Sequence, residues 1–210
     1  MLNNTEGKNE EAESLKLDAE YWNNRYENET AFWDLGEVSP PLKNYIDQLP
    51  DKSIKILIPG CGNTYEADYL LKAGFTDVTV IDIAPALVAQ LTEKYKDNPH
   101  IKIILGDFFK HEGEYDLIIE QTFFCAIDPS LRKNYVAKMP TLLAHKGKLV
   151  GVLFNRRFEE QGPPFGGSKD EYEPLFAKNF IFETFQPCYN SFIKRKDSEL
   201  FINLVKKVAD

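Results

Sequence analysis

Five short runs of almost unbroken apolar residues recur along the chain: KILIPG (55–60), VTVIDI (78–83), IKIILGD (101–107), YDLIIEQT (115–122) and KLVGVLF (148–154). A strand with one wet face alternates apolar and polar positions, whereas these runs do not, so they read as strands of a parallel sheet covered on both sides. Between them, residues 66–72, 85–95 and 131–143 carry apolar side chains at spacings of three and four, with Pro85 and Pro129 where a first helical turn or its approach tolerates proline. This β-α-β rhythm predicts an α/β, doubly wound, Rossmann-like sheet with right-handed crossovers. The end of the chain breaks the rhythm. FIFETFQP (180–187) and ELFINLVKKV (199–208) are two β-like runs without room for a crossover helix, so they are predicted to pair antiparallel.

Before the first strand, PPLKNYIDQL (40–49) reads as a short helix, and residues 18–41 interleave Tyr21, Trp22, Tyr26, Phe32 and Trp33 with charges, as in a segment that covers something. Residues 1–16 are polar and acidic and are expected to be a disordered tail, leaving 17–210 as one domain. Charge narrows the partners: 25 Lys and Arg against 33 Asp and Glu give a net charge of -8, which repels nucleic acid and anionic lipid. The start lacks the basic flank and apolar stretch of a signal peptide, and no long apolar run occurs, so a soluble, cytoplasmic protein is expected. Three widely spaced cysteines support neither a disulfide framework nor a metal knuckle, and His100, His111 and His145 lack ligand spacing; no metal is expected. A monomer is the default expectation.

The candidate chemistry lies at the ends of the predicted strands. The first runs into Ile58-Pro59-Gly60-Cys61-Gly62-Asn63-Thr64-Tyr65-Glu66, a Gly-x-Gly turn opening a helix, where missing β-carbons let a ligand press against the backbone. Alone the turn also fits a plain strand-to-helix connection, the less favoured alternative, and Tyr65 stands where a dinucleotide fingerprint has its third glycine. Asp82 ends the second strand, 22 residues beyond Gly60, where an acid can accept both hydroxyls of a ribose or cap the helix that starts at Pro85. Asp107, in Leu105-Gly106-Asp107-Phe108, brings a second acid to the same sheet edge. Together with the antiparallel end, these features favour S-adenosylmethionine over a nicotinamide dinucleotide. Methyl transfer asks chiefly for in-line alignment and exclusion of water. Trp22, Trp33, Phe123 and Phe124 are candidate faces for a sulfonium, with core packing as the alternative. Cys61 and Cys125 read as small packed side chains rather than nucleophiles.

Tyr21-Trp22, Phe32-Trp33-Asp34-Leu35-Gly36, Ser39-Pro40-Pro41, Ile58-Pro59-Gly60-Cys61-Gly62, Phe123-Phe124-Cys125-Ala126-Ile127-Asp128-Pro129 and Gly162-Pro163-Pro164-Phe165 occur in an order that resembles the thiopurine S-methyltransferase family. The likeness is nearest to its halide/thiol methyltransferase branch. The resemblance implies a class I S-adenosylmethionine-dependent enzyme that methylates small soft nucleophiles such as thiols, sulfide, thiocyanate or halide, leaving S-adenosylhomocysteine. It implies Trp22 and Trp33 as cofactor-covering residues, Gly60 and Gly62 at the methionine side, Asp82 with Ile83 at the ribose, and Asp107 with Phe108 at the adenine edge. Gln121 falls where relatives carry a cofactor-contacting tyrosine. Arg132 and Arg195 match arginines that position substrate, where a guanidinium would favour an anion and depress a thiol pKa. Competing expectations are a small-molecule O- or N-methyltransferase and a non-catalytic cofactor-binding sensor.

Overall fold

The computed structural model describes residues 15–28, 34–160 and 162–208. The expectation of a disordered tail falls almost wholly on residues 1–14, outside the described residues. Helix α1 (Ala19–Glu27) begins at Asp18, whose carboxylate accepts from the Tyr21 amide, and α2 (Pro40–Asp47) begins with two prolines, whose missing N–H groups cost nothing in a first turn. The alternation then runs β1 (Ile56–Pro59), α3 (Tyr65–Lys72), β2 (Val78–Asp82), α4 (Pro85–Tyr95), β3 (Ile101–Leu105), β4 (Tyr115–Gln121), α5 (Arg132–Leu142) and β5 (Leu143–Phe154). It closes with α6 (Lys169–Ala177), β6 (Phe180–Pro187) and β7 (Glu199–Lys206).

The seven strands form one sheet in the order β3-β2-β1-β4-β5-β7-β6. Neighbours from β3 to β5 run parallel, and β7 runs antiparallel to both β5 and β6. Both faces of β1, β2, β4 and β5 are buried, as the unbroken apolar runs predict, whereas β3, expected to be buried too, lies at the sheet edge with none of its residues fully buried and Leu105 54% exposed. Leu57, Ile118, Leu149 and Leu204 pack with Tyr135 and Met139 of α5 and Tyr172 and Phe176 of α6. Ile56, Val80, Ile119 and Val150 pack with Ile46 of α2, Leu70 of α3 and Leu87 of α4. The strand order reverses between β1 and β4, and the carboxyl ends of strands at such a reversal frame a crevice in open α/β sheets.

Two elements differ from expectation. Strand β5 starts at Leu143, five residues early, because Leu143 already pairs with Tyr115 before a register shift in β4. Helix α6, absent from the sequence reading, starts at Ser168, whose hydroxyl accepts from the Glu171 amide. The Ser168-x-x-Glu171 spacing is the capping pattern that could have signalled it.

Under the β4 end lies the most demanding polar group of the core. Glu120 is fully buried and its carboxylate accepts from the backbone amides of Phe123 and Phe124, at 2.8 and 2.9 Å, and from the Tyr135 hydroxyl. Gly151 makes room for it from β5: a β-carbon there would stand 2.3 Å from the Glu120 carbonyl oxygen. Burial pushes the Glu120 carboxyl up to about 7, from an ordinary 4.5. Between those two values the folded chain keeps a proton that the unfolded chain releases, so this residue's contribution to stability falls as pH rises from about 4.5 to 7. Replacing Glu120 with glutamine keeps the two backbone bonds at Oε1, makes the side-chain amide donate to the Tyr135 oxygen where the carboxylate accepted from its hydroxyl, and removes the titration. The expected result is a thermal midpoint that drops several degrees less between pH 5 and pH 8 than in the unaltered chain, at about 2–4 °C per kcal/mol. Parallel pH profiles for the two proteins would contradict it.

Candidate active site

At the carboxyl edge of the sheet, where the strand order reverses, a cavity of about 980 Å³ opens between the β1 and β4 ends. Its floor is the turn after β1. Gly60 and Gly62 adopt φ of +55° and +51°, and a β-carbon on Gly60 would meet the Phe123 ring at 2.2 Å. Only glycine allows the β1 turn and the β4 turn to approach this closely. Thr64 and Thr122, one on each side of the reversal, also hold positive φ of 52° and 62°, a conformation that β-branched residues adopt only when their surroundings enforce it.

Asp82 stands beside the turn at the end of β2. Its two carboxylate oxygens accept single backbone bonds, from Gly62 at 3.2 Å and Ala84 at 3.0 Å, which leaves lone pairs on each for a ligand. Burial raises its pKa above the usual aspartate range. Asp107 accepts from the Phe109 amide, and Phe108 packs edge-on against Phe123. Gln121 lines the middle of the cavity: its Oε1 accepts from the buried Ser39 hydroxyl at 2.8 Å, and its buried Nε2 has no partner among the described residues.

The segment before α2 lies against this turn. Asp34 accepts from the Asn63 side-chain Nδ2 and, at 3.0 Å, from the Tyr65 hydroxyl. Asn23 of α1 accepts from the Ala86 amide at 2.7 Å and so caps α4, whose own N-cap residue is an alanine. Trp22 and Tyr26 line the cavity from this side. Trp33, the second tryptophan expected to cover a ligand, lies outside the described residues.

Of the residues expected from sequence, Trp22, Gly60, Gly62, Asp82, Ile83, Asp107, Phe108, Gln121 and Arg195 all line this one cavity. Arg195 is 8% exposed, ion-paired to Glu199 at 3.4 Å and stacked over Phe154. Arg132 is placed differently from the expectation that it reaches substrate: it does not line the cavity. Its guanidinium is sandwiched between the Phe124 and Tyr172 rings, and its Nη2 donates to the carbonyls of Phe165 and Gly166, each at 3.0 Å. The group is therefore taken up in holding the loop after β5, whose Gly162, Pro163 and Pro164 form one wall of the cavity.

Lys194 and Glu66 were not singled out from the sequence, whereas Arg156 was expected in a loop after the fifth strand that forms a lid or pocket wall. Arg156 and Lys194 join Arg195 in the cavity lining, with Phe154, Phe158 and Phe192. Glu66, in the first turn of α3, lines the cavity at only 5% exposure, and burial pushes its carboxyl up to about 7. Its signal was in the sequence, an acid directly after the glycine turn, but such an acid ordinarily reads as a surface partner of the helix dipole. Cys125 also lines the cavity, and burial drives its thiol up to about 12, away from the thiolate a nucleophile needs.

Comparison with known proteins agrees with this geometry. The chain is 31% identical over 159 residues to probable thiol methyltransferase 2 of Arabidopsis thaliana, covering 73% of this chain and 70% of that protein. It is 26% identical over 161 residues to thiocyanate methyltransferase 1 of Brassica oleracea, covering 74% and 71%. The fold matches the crystal structure of Burkholderia thailandensis 1,6-didemethyltoxoflavin-N1-methyltransferase, which holds S-adenosylhomocysteine, with a TM-score of 0.73 at 16% identity over 90% of this chain and 87% of that one. The family description Thiopurine S-methyltransferase (TPMT) matches residues 17–201, and the chain belongs to that family.

Proposed function

We infer that this protein is an S-adenosylmethionine-dependent methyltransferase that passes the methyl group to a thiol or a thiol-like anion such as thiocyanate, sulfide or halide. The observation that carries the reading is that one cavity gathers the glycine turn, Asp82 and Asp107 together with Arg156, Lys194 and Arg195 among aromatic rings. The residues fit the cofactor. Asp82 keeps lone pairs for a ribose, the turn leaves bare backbone beside it, and the unpartnered Gln121 Nε2 is a donor in want of an acceptor. The names of the relatives, a thiol and a thiocyanate methyltransferase, support the acceptor class.

When bound, the cofactor supplies a methyl group already activated on a sulfonium. The chain's own part is to align, to exclude water and to draw in the nucleophile. Trp22, Tyr26 and the segment fastened through Asp34 close one side, and the loop held by Arg132 closes another. Arg195, whose charge is permanent, favours an anion beside it and raises the thiolate fraction of a bound thiol. No histidine lines the cavity among the described residues, and an acceptor arriving as an anion needs no base to activate it. Arg132 acts at one remove, as the residue that positions the Pro163-Pro164 wall. The three free cysteines, all buried, support a reducing compartment, and among the described residues no helix is long and apolar enough to cross a membrane. We take the working unit to be a monomer.

Incubation with isotope-labelled S-adenosylmethionine and a panel of thiocyanate, sulfide, iodide, aromatic thiols, a catechol and a primary amine is expected to label the soft nucleophiles only. Labelling confined to the catechol or the amine would overturn the acceptor class. Arg195→Gln is expected to lower kcat/KM for thiocyanate by about 10- to 100-fold, the worth of a hydrogen bond to a charged group, and to leave S-adenosylhomocysteine affinity within about twofold. Asp82→Asn should do the reverse, weakening S-adenosylhomocysteine about tenfold or more in calorimetry. Equal loss of cofactor affinity in both variants would refute this division of roles.

A further inference from the structure

Glu66 is a buried ionisable group without a side-chain partner among the described residues. It is 5% exposed, lines the cavity, and neither hydrogen-bonds nor ion-pairs with any side chain among the described residues. Only its own backbone amide and, at longer range, Arg195 favour its charged form, while burial and Asp34 oppose it. Arg195 is engaged by Glu199. An unpaired buried carboxylate costs several kcal/mol, and a fold keeps one when a ligand supplies the missing cation.

The position of Glu66 selects among cations. It sits in the first turn of α3, four residues past Gly62, at the turn after β1 and within electrostatic reach of Arg195. An acceptor anion would be repelled there. S-adenosylmethionine and S-adenosylhomocysteine both carry an α-ammonium on the amino-acid part, which bears three donors and a full charge. Asp82 is already the acid for the ribose on the proposed reading, and its two oxygens hold backbone amides. This leaves Glu66 as the buried cavity carboxylate with no side-chain partner among the described residues, holding only its own backbone amide. We propose that Glu66 is the site for the cofactor's α-ammonium, a charge-assisted pair that anchors the amino-acid end of the cofactor against the glycine turn. The pairing rests on the reading of the cavity as a cofactor site. It also orients the ligand: with the ammonium held at α3, the amino-acid chain is fixed at one end and the ribose at Asp82 is fixed at the other.

The test compares two ligands on two proteins by isothermal titration calorimetry. The ligands are S-adenosylhomocysteine and its desamino analogue, which keeps the carboxylate, ribose and adenine but lacks the ammonium. The unaltered chain is expected to prefer S-adenosylhomocysteine by about 30-fold or more, the range for a buried hydrogen-bonded charge pair. In Glu66→Gln that preference is expected to fall to within about threefold, with the desamino analogue binding at least as well as before. Asp82→Asn should weaken both ligands together and keep their ratio. A small preference in the unaltered chain would overturn the proposal without recourse to any variant, so a variant that fails to fold cannot shelter it. A ratio unchanged in Glu66→Gln would overturn it as well, as would intact S-adenosylhomocysteine affinity with turnover lost for protonated thiols alone, the signature of a proton acceptor. Failure of the unaltered chain to bind either ligand would refute the cofactor reading itself, and is distinct from each of these results.

Discussion

The carboxylate of Glu120 is the point from which the cavity is built. Sealed beneath the end of β4, it must be satisfied by donors brought to it, and those donors are the amides of Phe123 and Phe124 and the hydroxyl of Tyr135. Meeting that requirement bends the chain after β4 into a tight turn and ties it to α5. Once the turn is made, Phe123 is thrown across Gly60 at a distance that excludes any β-carbon, and Phe124 becomes one of the two rings that clasp Arg132. Arg132 in turn holds the carbonyls of Phe165 and Gly166. A single buried charge thus sets the spacing of the two loops at the strand-order reversal and, through a stacked guanidinium, the position of a third. Gly151 belongs to the same constraint, because any larger residue on β5 would collide with the backbone of Glu120.

Charge within the cavity follows the same geometry. Acids end β2 and β3 and open α3 because these strand and helix termini converge at the crevice, and the loops after β5 and β6 bring Arg156, Lys194 and Arg195 to the same cavity, which Arg25 of α1 and Glu160 also line.

How much of this could be read from the residues depends on how local each signal is. The parallel strands were legible because burial on both faces writes itself into consecutive apolar residues, and the glycine turn, Asp82 and Asp107 were legible because each lies at a strand end. Helix α6 was obscured by Pro174 within it. Glu66 and Glu120 were not singled out, since the sequence of an acid at a helix start or strand end is the same whether it faces water or core. Arg132 was assigned to substrate because its motif places it near the site, and proximity along the chain is blind to which carbonyls a guanidinium meets. Burial and partner choice are tertiary facts, and they decided the roles of all three.

The placement of Arg132 also explains why an arginine, rather than a lysine, suits the position. The slot between Phe124 and Tyr172 accepts a flat cation that stacks on both rings, and the same group must offer one nitrogen to two successive carbonyls. A lysine ammonium could reach a carbonyl but would leave the slot unfilled and carry a tighter hydration shell into it. The loop that arginine holds includes Phe165, whose amide already donates to the Cys125 carbonyl at 2.7 Å, so the wall is tied to the β4 turn by backbone and to α5 by side chain. Loss of either tie would let Pro163 and Pro164 drift from the cavity while leaving the glycine turn, Asp82 and Glu66 in place. The glycine turn is built on strand and helix termini, whereas the Pro163-Pro164 wall is built on a loop held by the Arg132 guanidinium and the Phe165–Cys125 backbone bond. Sequence change at the pinned loop can therefore reshape that wall without disturbing the glycine turn and the acids beside it.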